Sequence, residues 1–146
     1  MIEQKTISEK AGDYFENGFH CAEAVAVAVL EGLGQPAEEA AAHATAFGGG
    51  FGRTFEEACG AISGSLIVIG QLYGRRRPKQ EWDVPAALAA TIRQLFLDHF
   101  KTSHCATLRE RFGQEMQMKE CKNIVRVVAA DLVELLLTAS KEVQES

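Results

Sequence analysis

The chain lacks closely paired cysteines, although it contains four of them: Cys21, Cys59, Cys105 and Cys121. The intervals between them are 38, 46 and 16 residues, so no two form a Cys-x-x-Cys pair and no standard sequential metal motif is present. A Cys-x-x-Cys-His motif is also missing, which excludes covalent attachment of a c-type haem. If the four thiols act together, the fold has to gather them from four separate segments.

Long apolar runs and an excess of basic residues are missing too. The apolar stretches are too short, or too interrupted by glycine or charge, to span a bilayer. The polar start, Met1–Lys5, has no apolar segment, so we expect no signal peptide and a cytoplasmic location. A net charge of -5 argues against nucleic-acid binding, and we expect neither a nucleic-acid nor a membrane partner.

No stretch alternates clearly between apolar and polar residues, as an amphipathic strand would, whereas helical periodicity is present almost throughout. The pattern predicts an all-α, single-domain bundle of about five to seven helices over residues 1–146. The predicted helices cover about residues 8–16, 20–31, 36–46, 55–73, 83–100, 106–111 and 119–143. Ser8 and Thr54 are the predicted N-caps of the first and fourth helices.

Three cysteines fall on the apolar faces of their predicted helices, and each lies in the first or second turn: Cys21, Cys59 and Cys121. Cys105 follows the fifth helix. A helix N-terminus lowers a thiol pKa, whereas burial raises it, and the sequence does not decide between these effects. Because reduced cysteines in a cytoplasmic protein are often redox-active or metal-binding, all four are candidate catalytic residues or metal ligands. Cys59, whose helix start is best defined, is predicted to be the most reactive.

Gly60 and Gly64 follow Cys59 on the same predicted helix. Glycine costs about 1 kcal/mol relative to alanine inside a helix, so this pair predicts close approach of another backbone, or else room for a cluster or substrate beside Cys59. The glycine-rich segment 47–54 lacks the partner residues of a phosphate loop, so backbone packing near Cys59 is the favoured interpretation. His20 and His104 each precede a cysteine and are interpreted as surface or partly buried polar residues rather than as ligands.

The four cysteines and the glycine-rich segments around them resemble the pattern of the small redox-active proteins named for a C_GCAxxG_C_C motif. The matching segments lie between about Phe15 and Leu137. They are residues 18–22 around Cys21, 47–50, 59–64, Cys105, and Cys121 followed by an apolar helix. Two departures are visible: Ala58 stands where the family name puts glycine, and His20 where we expect a polar residue resembling Asn. Neither removes a thiol.

The resemblance implies redox chemistry at four cysteines that come together in space, by thiol–disulfide exchange or electron transfer, with a redox partner protein. The family is also similar to a segment associated with split-Soret cytochromes, for which iron–sulfur binding has been proposed. A cluster or zinc held by the same cysteines is therefore an alternative. A non-enzymatic helical interaction module is another, and the apolar last helix could mediate homodimerisation.

Overall fold

Residues 4–145 are described by a computed structural model, with side chains up to residue 141, and this range contains six α-helices and no β-strand. The helices are α1 (Gln4–Glu16), α2 (Cys21–Gly32), α3 (Glu38–Thr45), α4 (Gly60–Tyr73), α5 (Asp83–Phe100) and α6 (Cys105–Glu145). The prediction of an all-α bundle with five to seven helices is confirmed. None of the helices in this range has both the length and the apolar character needed to cross a membrane.

Helix α2 lies at the centre of the bundle. Except for Glu23, every residue from Ala22 to Leu30 is buried, and the helix contacts α1, α3, α4 and α6. A helix that is apolar on all sides is stable only when other elements cover all of its faces. Because Cys21 is the first residue of α2, this packing fixes its position within the bundle.

Helix α4 packs against α2 at unusually short range. A Cβ atom added at Gly64 would lie 2.3 Å from the carbonyl oxygen of Ala22, and one added at Gly60 would lie 3.0 Å from the Ala22 nitrogen. Both neighbours are backbone atoms, which cannot rotate away as a side chain can. The two glycines therefore allow the N-terminal turns of α2 and α4 to lie in direct contact.

The predicted start of α4 at Phe55, with Thr54 as N-cap, is wrong. The helix begins at Gly60, and Phe55 has a positive φ of 61° that is incompatible with a right-handed helix. Thr54 instead donates its hydroxyl hydrogen to the carbonyl oxygen of Gly50, 2.6 Å away. The N-cap of α4 is Cys59 itself.

The segment before α4 is bound to the segment that leads into α6. Ala58 and His104 form an isolated antiparallel bridge. Three backbone hydrogen bonds extend the contact: Cys59 N donates to Ser103 O (2.7 Å), Cys105 N to Glu57 O (2.9 Å) and Ala106 N to Phe55 O (2.7 Å). This pairing places the starts of α4 and α6, and with them Cys59 and Cys105, side by side.

The predicted boundaries of α1 and α6 also need correction. Because α1 begins at Gln4, Ser8 is not its N-cap; its hydroxyl donates to the carbonyl oxygen of Arg126 on α6 (2.9 Å). The short helix and the last helix predicted from the sequence are two parts of α6. They are separated by Gly113, whose φ of 74° and ψ of 162° are not helical. This break turns the chain between Cys105 and Cys121.

Candidate functional site

All four cysteines line one cavity of about 480 Å³. Cys21 begins α2, Cys59 caps α4, Cys105 begins α6, and Cys121 lies eight residues after the break at Gly113. The Cys59 side chain is buried, whereas the other three cysteines are partly exposed. All four are free thiols in this structure.

Cys21 occupies the middle position among the thiols. Hydrogen bonding with Cys121, then with Cys59, together with burial, raises the pKa of Cys21 well above its ordinary value. Hydrogen bonding with Cys21 lowers the pKa of Cys121, and the nearby Arg109 guanidinium lowers it further, while burial opposes both. Of these two thiols, Cys21 therefore keeps its proton more readily and Cys121 ionises first.

Cys105 interacts with Cys59 and Cys121 through charge rather than through hydrogen bonding. Burial raises the pKa of Cys105 to about 11, and the charges of Cys59 and Cys121 add to the increase, while Arg109 opposes it. Cys21 and Cys105 are both the first residues of helices, yet the pKa of each is raised. Burial and neighbouring sulfur atoms therefore outweigh the favourable helix N-terminus at these two positions.

Arg109 is a residue of the cavity wall that the sequence interpretation missed. Its guanidinium carbon lies 3.9 Å from the centre of the Phe55 ring. When the oxygen of the Gln117 amide, rather than its nitrogen, faces Arg109, that oxygen accepts hydrogen bonds from Nε (2.8 Å) and Nη2 (3.1 Å) of Arg109. A signal was available, because Arg109 follows Cys105 by four residues and so lies on the same helical face.

The glycine-rich loop forms another part of the wall, through Gly49, Arg53 and Phe55. Five consecutive residues, 49–53, have φ between 58° and 66°, a conformation that is costly for the two that are not glycine, Phe51 and Arg53. A Cβ atom at Gly50 would lie 2.8 Å from the Cβ of Cys105. The loop therefore packs closely against Cys105, as well as lining the cavity that contains Cys59.

His20 lines the same cavity and is partly buried. It is the N-cap of α2 and has an extended backbone, so it lies just outside the helix that begins at Cys21. Its Nε2 lies 2.8 Å from the carbonyl oxygen of Thr45, and its ring packs so closely on Gly48 that a Cβ there would lie 2.3 Å away. These contacts attach the glycine-rich segment to the start of α2.

His104 has a local role in the turn before α6. Its Nδ1 lies 2.8 Å from the hydroxyl oxygen of Thr107, and it is not part of the cavity wall. Its partial burial agrees with the prediction of a polar residue that is partly buried.

Within the described part of the chain, no three His, Cys, Asp or Glu side chains are arranged so that they could hold a metal ion. The four thiols line one cavity, but they do not form a ready-made metal-binding group in this conformation. Binding of an iron–sulfur cluster or zinc by these cysteines stays a prediction.

Comparison with known families matches residues 19–135 to a family model described as "Putative redox-active protein (C_GCAxxG_C_C)". The matched range contains all four cysteines and covers most of the chain. The chain belongs to the C_GCAxxG_C_C family. No curated protein and no solved structure matches it.

The C_GCAxxG_C_C name pattern can be followed on the structure at its central segment. Its Ala-x-x-Gly part corresponds to Ala61–Gly64, and Gly64 is one of the two glycines that contact the backbone of α2. The order before it is Cys59-Gly60, and Ala58 precedes the cysteine. Ala58 forms the bridge to His104, so this departure lies in the pairing that holds Cys59 beside Cys105.

Proposed function

We propose that this member of the C_GCAxxG_C_C family carries out thiol–disulfide exchange, with Cys121 as the attacking thiolate and Cys21 as the resolving thiol. The observation that carries the proposal is that Cys21 and Cys121 line the same cavity, where their interaction raises the pKa of Cys21 and lowers the pKa of Cys121. A thiolate is the nucleophile in disulfide exchange, and a second thiol in contact with it can complete the reaction.

Access favours Cys121 over Cys59, the residue predicted from the sequence to be most reactive. Cys59 is only 5% exposed, whereas Cys121 is partly exposed and has a lowered pKa. The attacking sulfur has to approach the substrate disulfide from outside the protein core. Cys121 meets this requirement better because it combines exposure with thiolate character.

The proposed reaction proceeds in two exchanges. The Cys121 thiolate attacks one sulfur of a substrate disulfide, forms a mixed disulfide and releases the first substrate thiolate. The Cys21 thiol then loses its proton to that thiolate and attacks the sulfur of Cys121, which releases the second substrate thiolate. Two electrons pass from the two cysteines to the substrate, and the protein is left with a Cys21–Cys121 disulfide. A dithiol redox partner protein would reduce this disulfide and complete the cycle.

Trapping the mixed disulfide tests the assignment. In the Cys21→Ser variant the second exchange cannot occur, so a substrate-derived thiol should remain attached to Cys121 after treatment with hydroxyethyl disulfide. Peptide mass spectrometry identifies the modified residue. The Cys105→Ser variant is the control, because it keeps both proposed partners and should form the Cys21–Cys121 disulfide. Labelling of Cys59 alone would contradict the role given to Cys121.

The two alternative functions, a metal or cluster site and a helical interaction module, predict different results for the purified protein. Protein purified without oxygen that contains stoichiometric iron or zinc and visible absorption would favour the cluster or metal alternative. A protein whose partner binding survives replacement of all four cysteines by serine would favour the interaction module. The proposal expects reactive thiols, an internal disulfide after oxidation and loss of both in the Cys121→Ser variant.

A further inference from the structure

We infer that the cavity beside the thiols accepts a small disulfide that carries carboxylate groups, and that Arg53 and Arg109 recognise those groups. This inference rests on the proposed exchange function, since it names the class of substrate for the same site. Both arginines line the cavity together with the four cysteines. Arginine binds carboxylates through a planar array of N–H donors that matches two carboxylate oxygens.

Neither Arg53 nor Arg109 has a carboxylate partner among the residues that the structure describes. The acidic residue in the cavity wall is Glu16, and its carboxylate lies 2.7 Å from the ammonium group of Lys122. The cavity therefore has two guanidinium groups available and one carboxylate that already has a partner.

Arg109 is held in place by neighbours that do not neutralise its charge, and Arg53 lies on a strained part of the loop. Arg109 lies against the Phe55 ring and the Gln117 amide, which orient the guanidinium without a carboxylate. Arg53 has a φ of 65°, which is unfavourable for a residue with a side chain. Backbone strain of this kind occurs most often where function requires a particular position.

The rest of the cavity suits a small, partly apolar ligand. A volume of about 480 Å³ is within the range of small-molecule sites. The wall includes Phe19, Phe55, Leu108 and Ile124, which can contact the methylene and sulfur atoms of a disulfide. Carboxylates at the ends of such a molecule would reach the arginines while the central sulfurs lie near Cys121.

The overall charge of the protein makes the inference easy to test. A net charge of -5 repels anions at long range, so the whole molecule favours cationic substrates over anionic ones. Faster reaction with an anionic disulfide would therefore have to come from local groups. The two unpaired arginines are the groups that can supply this preference.

The experiment compares three disulfides of similar size: dithiodipropionate, which is anionic, hydroxyethyl disulfide, which is neutral, and cystamine, which is cationic. For each disulfide, the rate of Cys121 oxidation is divided by the rate at which the same disulfide reacts with free mercaptoethanol. This ratio removes differences in intrinsic reactivity between the three disulfides. We expect the anion to react fastest in the unmodified protein. Arg53→Gln and Arg109→Gln should each reduce the anion-to-neutral ratio, by up to about tenfold for the less exposed Arg109.

Arg93→Gln is the matched control, because it removes the same charge from an exposed position on α5 that does not line the cavity. It should keep the anion preference. Arg109→Lys, a milder change, should retain part of the preference if Arg109→Gln folds poorly. Equal rates for all three disulfides, or a preference for cystamine, would overturn the inference and leave thiol exchange intact. Failure of Cys121 to react with any of them would overturn both.

Discussion

At the scale of single residues, the interaction between the Cys21 and Cys121 thiols distinguishes these two cysteines. It raises the pKa of Cys21 and lowers the pKa of Cys121, although the two thiols belong to the same cavity. The direction follows from which partner donates the proton: the donor is stabilised as a thiol and the acceptor as a thiolate. Reactivity at neutral pH is therefore expected to belong to Cys121 and to depend on the residue at position 21.

Replacing Cys21 should change the pH dependence of Cys121. In Cys21→Ala the donor is lost, so the pKa of Cys121 should rise and its alkylation by iodoacetamide near pH 7 should slow several-fold, because one pKa unit corresponds to about tenfold in thiolate at a pH well below the pKa. Cys21→Ser keeps a hydroxyl donor and should change the profile less. Alkylation rates of the Cys121 peptide, measured across pH by mass spectrometry, report both. Identical profiles for the two variants would show that hydrogen bonding does not set this pKa.

The burial of a cysteine can be predicted from the sequence, whereas its pKa relative to the other cysteines cannot. Helical phasing predicts that Cys59 faces the core, because its apolar neighbours recur at helical intervals. The relative pKa values of Cys21 and Cys121 cannot be predicted in the same way. They depend on which thiols touch across 100 residues of sequence, and phasing within each helix carries no information about distances between helices.

At the scale of elements, the contact between α2 and α4 determines how closely Cys21 and Cys59 approach. The small-residue spacing of Gly60 and Gly64 was enough to predict that some backbone comes close, but not that it belongs to α2. The start of α4 could not be predicted, because its preceding segment pairs with residues 103–106, far away in sequence. Local helix signals at Thr54 are overridden by that long-range pairing.

Two glycines of α4 give a matched test of this packing. Gly64→Ala would place a Cβ atom 2.3 Å from a backbone oxygen of α2, so the helices have to separate, at a cost of about 1–3 kcal/mol in the free energy of unfolding. Gly70→Ala lies on the same helix with nothing within 4 Å of its added Cβ, and should stabilise the protein by about 0.5–1 kcal/mol through helix propensity. Urea unfolding monitored by circular dichroism measures both. Equal effects of the two substitutions would contradict the close-contact explanation.

At the scale of the whole molecule, the cysteines come from three helices, α2, α4 and α6, which are separate in sequence but adjacent in the bundle. Helix α2 supplies Cys21 at the centre, and α6 passes alongside with Cys121 after its break at Gly113. A bond between these two thiols would join the central helix to the C-terminal helix. The redox state of the site is therefore expected to affect the stability of the whole fold.

Formation of the Cys21–Cys121 disulfide would close a loop of 100 residues, counted from 21 to 121. Constraining the unfolded chain over such a loop stabilises the folded state by about 5 kcal/mol in the chain-entropy description, provided that the bond forms without distorting the helices. Oxidised protein should therefore unfold at a higher guanidinium concentration than reduced protein. The Cys105→Ser variant should show the same difference between its two redox states, whereas Cys121→Ser should lose it. An unchanged midpoint on oxidation would mean that the disulfide forms elsewhere, or that its formation strains the contact between α2 and α6 by as much as it restricts the unfolded chain.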